Sequence, residues 1–131
     1  MKILVRDEAT IPAEIKDKVE VVKGDVLNQE DVDKTIEGTD AVIIVLGTRN
    51  STAPTTMMSE GTKNVIASMK KFGLSKFSAC MSSFLFMQPE MVPKVFIDLN
   101  ADHRRMLELI KDSGLEYRAV LPPHIASKCA F

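Results

Sequence analysis

Cysteine is scarce in this chain: Cys80 and Cys129 are the only two, far apart and without a Cys-x-x-Cys spacing. That argues against a zinc site or a disulfide framework and reads as free thiols in a reducing compartment, so a cytoplasmic location is expected. An excess of one charge is lacking too. Lys and Arg number 17 against 18 Asp and Glu, and the formal net charge is -1. This argues against a partner held mainly by phosphate charge, whether bulk nucleic acid or an anionic membrane. No apolar run approaches the ~20 residues that span a bilayer. The run Lys2 to Val5 is too short for the core of a secretory signal, and Arg6-Asp7 ends it. Repeats, low-complexity tracts and linkers are missing, so one domain over residues 1–131 is expected. The 45% hydrophobic and 27% charged content is ordinary for a soluble globular protein.

The most informative stretch that is present runs from Asp40 to Asn50. Ala41 to Leu46 is unbroken, apolar and rich in β-branched residues, as a strand buried on both faces of a parallel sheet would be. Gly47-Thr48-Arg49-Asn50 follows at once. Gly47 lets the backbone turn sharply or lets another group approach it. Ligands of open α/β sheets bind just past the carboxyl ends of the strands, though an ordinary turn fits the same residues.

The other elements alternate around this one. Strands are expected at Lys2–Val5, Val19–Val22, Lys76–Met81 and Glu116–Leu121. A short helix is expected over Asp31–Glu37, with Asn28 as N-cap and Gly38 just past its end. A longer helix runs from Pro54 or Thr55 to about Phe72, where Met58, Gly61, Val65, Met69 and Phe72 share one face and Gly73 stops it. Asn100–Ser113 is a third helix, with Met106, Leu107 and Ile110 inward and Gly114 as its stop. Glu8–Lys18 suits a loop with one helical turn, and Ser82–Pro93 suits a loop. Alternation of this kind means βαβ units, so the fold class is a Rossmann-like three-layer α/β sandwich with a mostly parallel sheet.

Two absences bear on chemistry. A dinucleotide site of this class needs a Gly-x-Gly-x-x-Gly or related loop after its first strand, and Arg6 to Pro12 holds no glycine. Lys2–Val5 therefore looks like the second strand of such a fold, whose end lies beside the adenosine ribose. An arginine there accommodates the 2′-phosphate of NADP, and Arg6 stands at that place, although a solvated charge at a strand end fits too. The fold then lacks its first strand, glycine-rich loop and first helix. The neighbours of the absent strand either pair directly or stay open. The second absence is the Tyr-x-x-x-Lys of short-chain dehydrogenases, since the single tyrosine, Tyr117, precedes Arg118-Ala119-Val120-Leu121.

Several residues remain as candidates. Asp25 can accept from an adenine amino group while Val26 packs on the ring, or Gly24-Asp25 can form an Asx turn. Leu46-Gly47-Thr48 would run along the cofactor. Ser82 can bond a nicotinamide or a substrate carbonyl, or cap the following turn, and Ser83 could do the same. His103 lies on the apolar side of its helix, as packing histidines do. His124, restrained by Pro122-Pro123, suits contact with substrate or nicotinamide, or a loop cap. No metal site is suggested.

Leu4-Val5-Arg6-Asp7, Gly24-Asp25-Val26-Leu27, Asp31-Val32-Asp33-Lys34-Thr35, Leu46-Gly47-Thr48-Arg49-Asn50, Met58-Ser59-Glu60-Gly61 and Pro122-Pro123-His124-Ile125 together resemble the biliverdin-IXβ reductases. These are also called NADPH-dependent flavin reductases and are atypical members of the extended short-chain dehydrogenase group. The resemblance runs from about Ile3 to Ile125. It implies NADPH as cofactor, hydride transfer to flavins (FMN, FAD) or a linear tetrapyrrole, and a monomer with small-molecule substrates as its partners. It implies Arg6 on the 2′-phosphate, Asp25 and Val26 on the adenine, Leu46, Gly47 and Thr48 along the cofactor, and Arg49 near it. Ser82, in Cys80-Met81-Ser82-Ser83-Phe84, and His124 would be catalytic and substrate-binding, with His103 a second substrate-side histidine. Flavin N5 accepts hydride directly and its proton can come from solvent, so a missing Tyr-x-x-x-Lys fits. There are departures. Thr10 stands where the family can place a second arginine, and Met87 where an aromatic residue can lie. The family opens with a strand, glycine-rich turn and helix that precede the start of this chain, and residues 126–131 diverge from its continuation. The resemblance therefore implies a chain shortened at both ends, with impaired activity, or a non-catalytic isoform of the module.

Overall fold

The computed structural model describes residues 1–123 and residue 125. His124 lies outside the described residues. Five strands form: β1 (Lys2–Val5), β2 (Glu20–Lys23), β3 (Val42–Ile44), β4 (Lys76–Cys80) and β5 (Glu116–Val120). The helices are α1 (Ala13–Lys16), α2 (Gln29–Ile36), α3 (Met57–Lys71) and α4 (Ile97–Asp112). A 3₁₀ turn at Glu8–Thr10 follows β1. Two more, at Ser83–Phe86 and Pro89–Met91, occupy the expected loop, and a third, at Lys94–Phe96, leads into α4. No helix among the described residues is long and apolar enough to cross a membrane.

Local chemistry sets the helix ends. The Asn28 side chain accepts from the backbone N–H groups of Glu30 and Asp31 at 2.9 and 3.3 Å, which satisfies two donors that α2 itself cannot. Gly38, Gly73 and Gly114 take positive φ, from 72° to 76°, just past α2, α3 and α4. The Gln29 side chain donates to Asp33 Oδ1 and Ser68 Oγ, tying α2 to α3. Asp33 also accepts from Lys71 Nζ at 2.6 Å and from Ser68 Oγ. The Lys71 and Ser68 hydrogen bonds hold its carboxyl down to about 2.

All strand pairs are parallel, but they form two separate sheets, β1-β2 and β3-β4-β5. Their relative direction follows from the contacts. Gly61 on α3 lies against Val26, just past β2, and Leu46, just past β3, so those carboxyl ends sit together. At the opposite end Lys2 Nζ donates to the carbonyls of Lys34 and Glu37, where the chain leaves α2 for β3. All five strands therefore run the same way, in the order β2-β1, a gap, then β3-β4-β5. This is the doubly wound order 3-2-1-4-5-6 with its first place open. The strands beside the gap do not pair with each other.

One core lies between the sheets and a single helical layer. Val32 and Ile36 of α2, Met58, Val65 and Met69 of α3, and Met106 and Ile110 of α4 pack on Ile44, Phe77 and Ala79. Burying each methionine contributes about 1.5–3 kcal/mol. That layer leaves only the four-residue α1 outside it. The opposite sheet face stays open, which corrects the reading of Ala41–Leu46 as buried on both faces. Ile44 is 3% exposed, whereas Ile43 and Val45 are 75% and 72% exposed. Side chains alternate across a strand, and nothing among the described residues covers the second face.

Candidate functional site

The gap between β1 and β3 is a cleft of about 880 Å³ that runs the length of the strands, from Met1 and Asp40 at one end to Arg6 and Gly47 at the other. Arg6, Asp25, Val26, Leu46 and Gly47 all line it. Each is held by a different local device. Arg6 follows β1 and makes no ion pair among the described residues. Asp7 is turned to other work: its Oδ1 accepts from Ala9 N–H at 3.0 Å and caps the Glu8–Thr10 turn. Asp25 Oδ1 accepts from Leu27 N–H at 2.9 Å, the Asx turn that Gly-Asp suggested. Asp31 Oδ2 accepts from Asp25 N–H at 3.0 Å, and its carboxylate passes so close to Gly24 that a Cβ there would lie 2.5 Å from it. Gly24 is thus required by a close approach.

Val26 and Leu46 meet across Gly61. A Cβ on Gly61 would lie 2.8 Å from Val26 Cγ1 and 3.1 Å from Leu46 Cδ1, so only glycine lets α3 lie this near both strand ends. Asn64, a residue the sequence did not single out, donates through Nδ2 to the Val26 carbonyl at 2.9 Å. Its place one turn after Gly61 on the same helix is the signal that points to it.

Gly47 is not held by a close approach. A Cβ added to it would meet nothing within 4 Å, and the positive φ in this turn belongs to Arg49, at 56°. Thr48 Oγ1 donates to the Ser51 carbonyl at 2.6 Å, and neither Thr48 nor Arg49 lines the cleft. Ser82 Oγ accepts from Phe84 N–H at 3.2 Å as N-cap of the turn after β4. Ser83 N–H donates to the Pro122 carbonyl at 3.0 Å, which sets this turn beside the end of β5. His103 is 9% exposed on α4 and does not line the cleft. Burial lowers its pKa and the Asp102 charge partly opposes that shift.

Sequence reasoning missed Asp102, which is fully buried. Its Oδ2 accepts from the Met58 and Ser59 N–H groups at 3.0 and 3.3 Å, and Ser59 Oγ donates to Oδ1. Arg105 pairs with Oδ1 at 3.1 Å and donates to the Thr55 carbonyl at 2.7 Å. A carboxylate from α4 therefore caps α3, whose own Thr56 provides no side-chain cap. An acidic residue three places before an arginine on a helix was the visible sign, although i,i+3 pairs are common at surfaces.

Residues 1–129 match a family model described as NAD(P)H-binding. The chain belongs to this NAD(P)H-binding family. Solved structures agree on the fold. A Rossmann-fold NAD(P)-binding family protein from Shigella flexneri superposes with a TM-score of 0.72 at 21% identity, over 98% of this chain and 56% of that one. An NADPH-dependent quinone oxidoreductase from Escherichia coli, complexed with NADPH, gives 0.66 at 15% identity, over 90% and 38%. The triphenylmethane reductase of Citrobacter sp., complexed with NADP(H), gives 0.62 at 18% identity, again over 90% and 38%. This chain spans little more than half of the first and under half of the other two. The cleft fits one end of the NAD(P)H that gives the family its description. Arg6 offers a free guanidinium, and Asp25 with Val26 offers an acceptor beside an apolar wall. The pyrophosphate is less well served. No glycine-rich turn borders the cleft among the described residues, and the N–H groups at the start of α3 are already taken by Asp102.

Proposed function

We propose that this protein is an NADPH-dependent reductase whose hydride acceptor is a flavin such as FMN or FAD, or a linear tetrapyrrole such as biliverdin-IXβ. The observation that carries the cofactor half is the convergence of Arg6, Asp25, Val26, Leu46 and Gly47, from three strand ends, on one cleft. Arg6 holds the 2′-phosphate, Asp25 and Val26 hold the adenine, and Leu46 and Gly47 line the ribose and phosphate path, with Thr48 and Arg49 beside it. Ser82 and His124 orient nicotinamide and acceptor, and His103 supports the acceptor side. The bound nicotinamide would supply a hydride to the acceptor. The substrate half rests on the motif resemblance. It is supported by relatives described as reductases of quinones and triphenylmethane dyes, which are conjugated acceptors as flavins are. The protein works as a monomer on small molecules in the cytoplasm.

A second reading is a nucleotide-binding module without turnover. Ser82 favours it, because the oxygen that would face the acceptor already caps the turn after β4. One titration separates the two. NADPH is added to the protein, then FMN or biliverdin-IXβ, while nicotinamide absorbance is followed. Loss of absorbance above the protein-free rate supports the reductase. Saturable binding without oxidation supports the module, and no binding rejects both.

A further inference from the structure

We infer that the groove between α4 and the Pro89–Met91 turn binds a small monocarboxylate with a compact apolar body, such as an aryl or branched alkyl carboxylate, and that Arg104 and Asn100 hold it. The groove shares no residue with the cleft. The inference goes beyond the reductase reading and does not depend on it.

The groove has a volume of about 360 Å³. Ile97, Asn100, Ala101 and Arg104 form one stripe along α4, at the three- and four-residue spacing that sets side chains on one face, and Arg105 and Glu108 continue it. Pro89 and Val92 supply the other wall. Both walls come from a single stretch of chain, residues 89–108, so the groove owes nothing to the open place between the sheets.

Asn100 distinguishes this groove from an ordinary surface crease. The residue is 6% exposed, yet its Oδ1 is buried without a hydrogen-bond partner among the described residues. Buried amides are normally paired, and an unpaired one carries its full desolvation cost. The fold makes no use of this amide, and the amide lies where a ligand can use it. A half-turn about its last side-chain bond exchanges the oxygen for two N–H donors, which suit a carboxylate oxygen.

The two arginines differ in what they have left to offer. Arg105 is committed to Asp102 Oδ1, at 3.1 Å, and to the Thr55 carbonyl, at 2.7 Å. Arg104 makes no ion pair among the described residues. Glu108 stands one turn after it, but an acid that follows its cation is the weaker order for a pair four residues apart. Arg104 therefore presents a planar fork that matches the two oxygens of a carboxylate. The Glu108 charge disfavours a dianion such as a phosphate monoester. Pro89, Val92, Ile97 and Ala101 favour an apolar body behind the single charge.

The test uses the full chain, 4-methylbenzoate and 3-methylbutanoate as probes, and the uncharged 4-methylbenzamide as control, followed by ¹⁵N NMR. Each acid should shift the Asn100 side-chain amide signals saturably and leave Gly47 in place. The benzamide should bind about tenfold more weakly or worse. Arg104→Gln should weaken the acids by about tenfold or more at an unchanged Tm. Asn100→Leu replaces an unpaired buried amide by an apolar group of similar shape, so it should melt no lower than the parent while binding the acids about tenfold more weakly. No saturable shift with either acid, equal binding of acid and benzamide, or binding indifferent to Arg104→Gln would overturn the proposal. So would shifts centred on Gly47 and the cleft, or a markedly lower Tm for Asn100→Leu, which would show that the fold itself uses the amide.

Discussion

Arg6 and Asp7 are adjacent, opposite in charge, and differently employed. Asp7 is committed to its 3₁₀ turn, which leaves the Arg6 guanidinium free at the cleft. A charge-assisted pair with a 2′-phosphate is worth on the order of 1.5–3 kcal/mol. Arg6→Ala should therefore weaken NADPH binding about tenfold or more in fluorescence titrations and leave NADH binding nearly unchanged, and equal losses would remove Arg6 from the role. Ser82 offers a similar division. Its oxygen is used as a cap, while its proton is bonded to none of the described residues. Ser82→Ala should cost about 1 kcal/mol in thermal melting if capping is its whole task. A slower single-turnover hydride transfer with NADPH affinity unchanged would assign it to the acceptor. His103 titrates below its ordinary value of 6.5 because burial disfavours the charged ring. The unfolded chain then binds the proton first as pH falls, so stability is flat above 6.5 and declines below it. Melting at about pH 7.5 and about pH 5.5 should show this decline, and His103→Gln should reduce it.

Elements were legible in the sequence wherever their limits are local. Asn28, Gly38, Gly73 and Gly114 act within a few residues of themselves, so α2, α3 and the end of α4 fall close to where caps and stops place them. The cap of α3 is different. Asp102 lies 43 and 44 positions from the N–H groups it accepts, and no short pattern encodes that distance. The turn after β3 shows a related limit. Glycine permits a left-handed turn but does not demand one, and here Arg49 takes the positive φ. β3 misled in the other direction. Its unbroken apolar run reports what each face would bury in a covered sheet, and Ile43 and Val45 meet no such cover. The cleft residues were legible because each directly follows a strand. Asp102 carries a prediction at this scale. Asp102→Ala leaves Ser59, two backbone donors and Arg105 without their shared acceptor, so urea unfolding should show a loss of about 3–5 kcal/mol. A loss under about 1 kcal/mol would mean that water satisfies the start of α3 equally well.

The whole molecule is divided by its gap. The first place in the doubly wound order is where a glycine-rich turn and a helix N-terminus hold pyrophosphate, and the described residues bring neither to the cleft. NADPH binding by the chain alone should accordingly be weak. Fusing a β-branched strand, a glycine-rich turn and a helix ahead of Met1 should raise NADPH affinity by about tenfold or more. Unchanged affinity, with the fused strand shown to be paired, would mean that the cleft already makes its phosphate contacts. The same gap has a mechanical consequence. With no ladder shared between them, the two sheets are the jaws of a clamp. Their joints, α2 and the Val26 contact with Gly61 and Asn64, all lie on the helix side. The softest deformation of such a body is a change of jaw angle, a collective swing of the kind that occurs in microseconds to milliseconds. Arg6 rides on one jaw and Leu46 and Gly47 on the other. The span between the groups that would hold the 2′-phosphate and those that would line the phosphate path is therefore an elastic variable, set by how stiffly Gln29, Asp33, Ser68 and Lys71 hold the pivot.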